Sequence, residues 1–263
     1  MTIEKLRRYS SINELHSILQ RNALTFYDQT SWDDTNDVCY IQKFKSLKNY
    51  SSVLVKCFAE AEETFLMWKA YTGKKTGVCI EFDRANLLNK IDSPNIISGY
   101  VKYPTIENRQ AEPIRISELP FQKRYPYRAE KEFRIIYFSD RNNITTIEIP
   151  INRSCISRVL LSPWMSDNTH NIRKEEIQSI LGWENLDVAN SSVLSNKAWK
   201  DAVENIENNW AIKLFEWLAM MDKDLESIKC LNKSSFESKM IICELFSQRL
   251  MTTNEVDLVS NIN

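Results

Sequence analysis

The segment Tyr127-Arg128-Ala129-Glu130-Lys131-Glu132-Phe133-Arg134 is the most suggestive local feature of the 263-residue chain. In a strand, residues two apart point to one face, so this spacing places Arg128, Glu130, Glu132 and Arg134 on one side. A carboxylate pair beside cationic groups suits general-base work, or the steadying of a positive charge that develops during reaction. The same pattern also fits a half-buried strand with a charge-paired, solvated outer face, and the alternation alone does not separate the two. Further upstream lie Cys57-Phe58-Ala59-Glu60 and then Trp68-x-x-Tyr71, whose aromatics are neighbours on a helix and equally suit a core or a stacking site. A basic and aromatic run, Leu6-Arg7-Arg8-Tyr9-Ser10, sits near the start.

The elements that must position these groups follow from periodicity and caps. Lys5–Ser10 reads as a strand, and Ser11-Ile12-Asn13-Glu14 as a capping box opening a helix with Ile12, Leu15, Ile18 and Leu19 on one face. Ala23–Tyr27 is a second strand and Asp28–Asp37 a polar loop. Val53–Phe58 is a continuous apolar strand, Glu60–Tyr71 a helix, Thr76–Phe82 a strand, and Asp83 the cap of a helix over Arg84–Ile91. An irregular section with several prolines spans Ser93–Pro126. Strands follow at Tyr127–Phe138, Ile144–Ile151 and Ser157–Leu161, then a helix over Asp167–Trp183 and a last strand at Asn185–Ala189. From Asn196 the pattern is helical, with Trp199, Val203, Trp210, Leu214 and Trp217 in a stripe and a second helix at Phe236–Leu250. Residues 200–263 carry seven Lys+Arg against eleven Asp+Glu. A boundary near Asn196 therefore separates a body, residues 1–195, from an acidic helical extension, residues 196–263.

Composition excludes other chemistries. Lys+Arg number 34 against 35 Asp+Glu, which is not the balance of a strongly basic nucleic-acid coat. The only glycines are Gly73, Gly77, Gly99 and Gly182, too few and wrongly spaced for a dinucleotide fingerprint or a P-loop. Two distant histidines, His16 and His170, build no zinc-protease helix, and the six cysteines form no C-x-x-C pair, so no metal is expected. A metal-dependent nuclease is disfavoured on the same ground. The cysteines read as reduced thiols. No apolar run approaches the ~20 residues of a bilayer span, so the expectation is a cytoplasmic protein without a membrane partner.

Taken in order, the motifs resemble ADP-ribosyltransferases of the poly-ADP-ribose-polymerase and diphtheria-toxin type. Those begin with a Leu-Tyr-His-Gly-Thr strand, continue through Tyr-Phe-Ala-Asp and a helix with a stacking tyrosine, and end on a strand carrying a catalytic glutamate. The chain is still more similar to a bacterial family long called a domain of unknown function, which includes the CmdT-like phage-defence toxins. That family shows Phe-Asn-Asp, Cys-Phe-Ser-Glu, Met-Trp-x-x-Tyr, Gly-x-Gly-Val-x-Ile-x-Phe and Tyr-x-Glu-x-Glu-x-Arg. The matching segments here are Trp32-Asp33-Asp34, Cys57–Glu60, Met67–Tyr71, Thr76–Phe82 and Tyr127–Arg134. Two positions depart from the pattern: Trp32-Asp33 stands for Phe-Asn, and Ala59 for Ser. Arg8 takes the place of the first-strand histidine, as in arginine-class toxins.

The resemblance implies an α+β fold with a split antiparallel sheet and flanking helices. It implies an NAD-dependent transferase with NAD as co-substrate and no metal, acting as a toxin or anti-phage effector on RNA or another macromolecule. A neutralising antitoxin or inhibitor protein is the implied partner. Glu132 would stabilise positive charge on the ribose through its 2′-hydroxyl, and Glu130 would orient or deprotonate the acceptor. Arg8, with Tyr9, Ser10 and Phe58, would hold NAD by its ribose or diphosphate, and Tyr71 or Trp68 would stack the nicotinamide. Lys123, Arg124 and Arg128, interleaved with Phe121, Tyr125 and Tyr127, would meet a single-stranded nucleic acid. The rival reading is a non-catalytic nucleotide- or partner-binding module that retains the fold.

Overall fold

The computed structural model describes residues 4–72, 74–141 and 143–208. It divides into two compact units, residues 1–194 and 195–263. The first opens with β1 (Lys5–Ser11), which runs directly into α1 (Ile12–Arg21). The Ser11 hydroxyl accepts the Glu14 backbone N–H, so the first half of the capping box forms. The second half does not: the Glu14 carboxylate instead accepts from Ser10, Arg8 and Lys56.

Next come β2 (Ala23–Tyr27), α2 (Thr35–Leu47), β3 (Ser52–Ala59), α3 (Phe65–Tyr71), β4 (Gly77–Asp83) and α4 (Arg84–Lys90). Helix α2 is absent from the sequence reading, which left its first residues in a polar loop. Asp34 caps it by accepting the N–H groups of Asn36 and Asp37. Helix α3 is shorter than the expected Glu60–Tyr71, because Thr64 caps it and the chain is extended there. The section expected to be irregular holds β5 (Ile96–Tyr100) and α5 (Ile106–Ala111). Then follow β6 (Glu132–Ser139), β7 (Thr146–Pro150), β8 (Ile156–Leu161), α6 (Asp167–Gln178), β9 (Asp187–Asn190) and α7 (Lys197–Asn208). On α7, Trp199 and Val203 are exposed. Trp210, Leu214, Trp217 and the expected helix at Phe236–Leu250 lie outside the described residues.

The strands form one nine-stranded α+β sheet, ordered β5-β6-β3-β1-β4-β8-β9, with β2 on β3 and β7 on β2. All pairings are antiparallel except β8 with β9. The sheet is split in the middle. Strand β1 pairs along its whole length with β4 but meets β3 at one position only, Arg7 with Ala59. Further along, β3 meets β2 at Val55 with Tyr27. One face of the sheet packs Leu54, Phe58, Ile80 and Phe82 against α1 and α4 residues such as Leu15, Leu19 and Leu87. On the other face, Val55 and Ile136 pack against Ile41 and Phe44 of α2, while Tyr9 and Cys79 pack against Met67 and Trp68 of α3. Among the described residues no helix is long and apolar enough to cross a membrane.

Candidate active site

Between α2 and α3 a cleft of about 480 Å³ opens onto the split. Val55, Cys57 and Ala59 of β3 form its floor, Met67 and Tyr71 line it from α3, and Trp32, Asp34 and Asp37 from the start of α2. Arg8 enters from β1, and Glu132 from β6. Ala59 stands opposite Glu132 and Cys57 opposite Arg134 in the β3–β6 ladder, so these four share the face beneath the cleft.

The chain reaches Glu132 differently from the expected strand. Tyr125–Glu130 is a 3-10 turn, and Lys131 closes it in the left-handed region at φ 43°. Strand β6 therefore begins at Glu132, and the alternation expected over Arg128–Arg134 holds only for Glu132 and Arg134. Glu130 and Glu132 still meet, through a third residue. Lys123 donates to Glu130 at 2.6 Å and to Glu132 at 3.2 Å. Glu130 also accepts from the Tyr71 hydroxyl at the cleft mouth.

Glu132 is 5% exposed and fully engaged. Arg134 Nε and Nη2 donate to its two oxygens at 2.7 and 3.1 Å. Tyr103 fixes its backbone, its hydroxyl lying 2.7 Å from the Glu132 N–H. Burial would raise the Glu132 carboxyl, but Arg134 and then Lys123 outweigh it and pull its pKa down to about 2, so the carboxylate is ionised at neutral pH. Arg134 has no exposed surface and grips Asp37 through two bonds of 2.8 and 2.6 Å, with Pro120 O as a further acceptor. Burial would lower the Lys123 ammonium, yet Glu132 and Glu130 hold it above the ordinary lysine range.

On the β1 side, Arg8 donates to Glu14 at 3.0 Å and to the Cys57 carbonyl at 3.1 Å. Lys56, buried, donates to the same Glu14 oxygen at 2.6 Å and to Thr25 O. Burial and then the Arg8 charge lower the Lys56 pKa to about 8, with Glu14 opposing them. Arg8 and Lys56 in turn overcome burial and hold the Glu14 carboxyl well below its usual range.

Of the residues singled out in the sequence, Glu132, Glu130, Arg8, Tyr9, Phe58, Tyr71 and Lys123 line this one cleft. Three do not. Trp68 has no exposed surface, its indole N–H donating to Glu63 and its ring edge-on to Tyr9 at 5.4 Å, so it is a core residue and cannot stack a ligand. Ser10 is buried and spends its hydroxyl on Glu14. Arg128 lies over the Tyr125 ring at 4.2 Å, away from the cleft, and Arg124 faces Asp34 and Tyr127. Sequence reasoning missed Asp37, Tyr103, Lys56 and the ligating role of Glu14. Only Glu14 carried a local signal, as the fourth residue of a capping box. Among the described residues no group of three His, Cys, Asp or Glu could hold a metal ion.

A family model described as a protein of unknown function, DUF2971, matches residues 67–135, from the Met67-Trp68 motif to just beyond Arg134. No curated protein matches the sequence significantly. Among solved structures, DarT of Thermus sp. 2.9 in complex with NAD+ is 12% identical, with 73% of this chain covering 96% of that one at a TM-score of 0.38. The same protein in complex with ADP-ribosylated ssDNA gives 12% identity, 73% and 95% coverage and a TM-score of 0.38. Its carba-NAD+ complex gives 10%, 73% and 97%, and 0.38.

Proposed function

We propose that the protein is an NAD-dependent ADP-ribosyltransferase, with residues 1–195 as its catalytic body. The observation that carries this reading is an ionised, nearly buried glutamate, Glu132, aimed into a cleft of about 480 Å³ that Arg8 enters from the neighbouring strand. The ordered motifs, which resemble those of ADP-ribosyltransferases, supply the chemical context. With NAD as co-substrate the reaction breaks the bond between nicotinamide and ribose, the bonding pair leaves with nicotinamide, and positive charge grows on the ribose. Glu132 is suited to oppose that charge, because Arg134 and Tyr103 fix it in place before the reaction starts. Arg8, turned by Glu14, offers a planar guanidinium to a ribose or diphosphate oxygen. Tyr71, half-exposed at the mouth, provides a ring face for nicotinamide. Glu130 takes the proton of the acceptor nucleophile as that nucleophile bonds to the ribose carbon.

The acceptor in this reading is RNA or another macromolecule, approached past Lys123, Arg124 and Arg128, and the biological role is that of a toxin or anti-phage effector restrained by a neutralising protein. One observation favours a second reading, a nucleotide-binding module without turnover: both oxygens of Glu132 are already paired inside the protein. Incubation with NAD labelled in its adenylate, against separate pools of RNA, DNA and protein, tests both. Transferase activity releases nicotinamide and moves label into one pool, and Glu132→Gln abolishes both signals. Binding of NAD without nicotinamide release in any pool would establish the module instead.

A further inference from the structure

A second cleft, of about 510 Å³, lies on the far side of Lys123, Asp34 and Asp37, which line both cavities. Its volume is in the range of small-molecule sites. Its apolar walls are Tyr40 from α2, Pro104 and Ile106 from the approach to and start of α5, and Tyr125 and Pro126 from the 3-10 turn before Glu132, with the carboxylates of Asp34, Asp37 and Glu107 also on the lining. Gln122 also lines it. This residue is 4% exposed, and its backbone is tied down by a bond to Leu119 O and a bridge to Lys102. Its side-chain amide has no hydrogen-bond partner among the described residues. That amide lines the cleft, so its donors and its acceptor are open to a ligand there.

The geometry points to a ligand with a flat ring and a polar edge. A carboxamide presents one acceptor and two donors in a single plane, which complements the edge of a nucleobase. The tyrosine and proline walls suit the base faces, since a ring stacks on such surfaces whatever its sequence. Arg109 and Arg124 line the same cleft, and Arg124 is half-exposed at 3.6 Å from Asp34, within reach of a phosphate. We propose that this second cleft seats a nucleobase of a nucleic acid, with the adjoining phosphates on Arg109 and Arg124. That the bound strand is the acceptor rests on the transfer reading above, because Lys123 is the wall between this cleft and Glu132.

The test is a calorimetric titration of the full chain with AMP, GMP, CMP, UMP and dTMP, without NAD. At least one nucleotide is expected to bind saturably, and Gln122→Leu and Ile106→Asp are each expected to weaken it tenfold or more. Ile106 is exposed on α5, so its substitution reports on the cleft even if Gln122→Leu disturbs folding. Failure of all five nucleotides to bind, or binding indifferent to Ile106→Asp and to a folded Gln122→Leu, overturns the proposal. The titration uses neither NAD nor turnover, so an inactive first cleft would leave its outcome standing.

Discussion

The two sides of the first cleft are built alike and charged oppositely. On each, a carboxylate is held by one arginine and one lysine: Glu132 by Arg134 and Lys123, Glu14 by Arg8 and Lys56. The Glu132 side then adds Asp37 behind Arg134 and Glu130 beside Lys123, leaving three carboxylates to two cations. The Glu14 side adds nothing, leaving one carboxylate to two cations. Excess negative charge therefore collects around Glu132, where the proposed reaction would develop a cation, and excess positive charge around Arg8, where that proposal puts a diphosphate or ribose oxygen. The same building block has been tuned by its second layer of partners. Burial pushes both lysines down; Glu132 and Glu130 reverse it at Lys123, whereas Lys56, with Arg8 beside it and Glu14 opposing, falls to about 8.

The largest effect should come from stripping each side of its carboxylate support. Breaking a buried ion pair by removing one partner costs roughly 3–5 kcal/mol. Glu14→Ala strands two cations, while Asp37→Ala leaves Arg134 its bonds to Glu132. Urea unfolding at pH 7 should show both variants destabilised on that scale, with Glu14→Ala the worse. Equal or negligible losses would break the comparison, since the second layer would then carry no weight.

Activity sharpens it next. Glu132→Gln should leave NAD binding nearly intact and lower transfer per folded molecule by roughly a hundredfold or more, through lost charge stabilisation, alongside the loss of folding stability that its ion pairs supply. Arg8→Lys should act on the other parameter, raising KM for NAD about tenfold with kcat little changed, because a point charge replaces a planar fork. If steady-state kinetics assign both substitutions to the same parameter, the two sides do not divide the work.

The pH dependence follows from the sign of the Glu132 shift. Its folded pKa, about 2, lies below the ordinary 4.5, so the unfolded chain binds the proton more readily as pH falls. The stabilisation is complete above 4.5 and is lost between there and about 2, on the order of 3 kcal/mol from this group. Acid titration of unfolding free energy should therefore be flatter in Glu132→Gln than in the parent across that window, and parallel curves would contradict it. The smallest effect belongs to the cleft mouth. Tyr71 is 45% exposed, so Tyr71→Phe should change stability by no more than about 0.5 kcal/mol while altering the pH response of transfer, through its lost bond to Glu130.

Much of the scaffold was legible from local pattern. The strands flanking the cleft read as apolar or alternating runs, and Ser11 and Asp83 announced the starts of α1 and α4 through caps that need only neighbouring residues. Helix α2 was not legible, and its inward stripe shows why. The buried positions are Asp37, Ile41 and Phe44, so the stripe opens with a charged residue and a search for apolar periodicity discards it. The strand expected at Tyr127 failed for a similar reason. Alternating charges imitate a strand, but the left-handed Lys131 turns the chain so that only residues from Glu132 onward join the sheet.

By itself, then, the sequence brought forward Glu132, Glu130, Arg8 and Tyr71 as candidates and determined most of the strands and helices beneath them, because hydrophobic spacing and caps act over a few residues. Tertiary structure alone decided which charges are used and how. Asp37 becomes a partner of Arg134 across 97 positions, Lys56 a partner of Glu14 across 42, and Trp68 is sealed in the core while Tyr71, one turn away, stays at the mouth. Those outcomes depend on burial and on long-range pairing in a low-dielectric interior, and neither quantity is a property of any local stretch of chain.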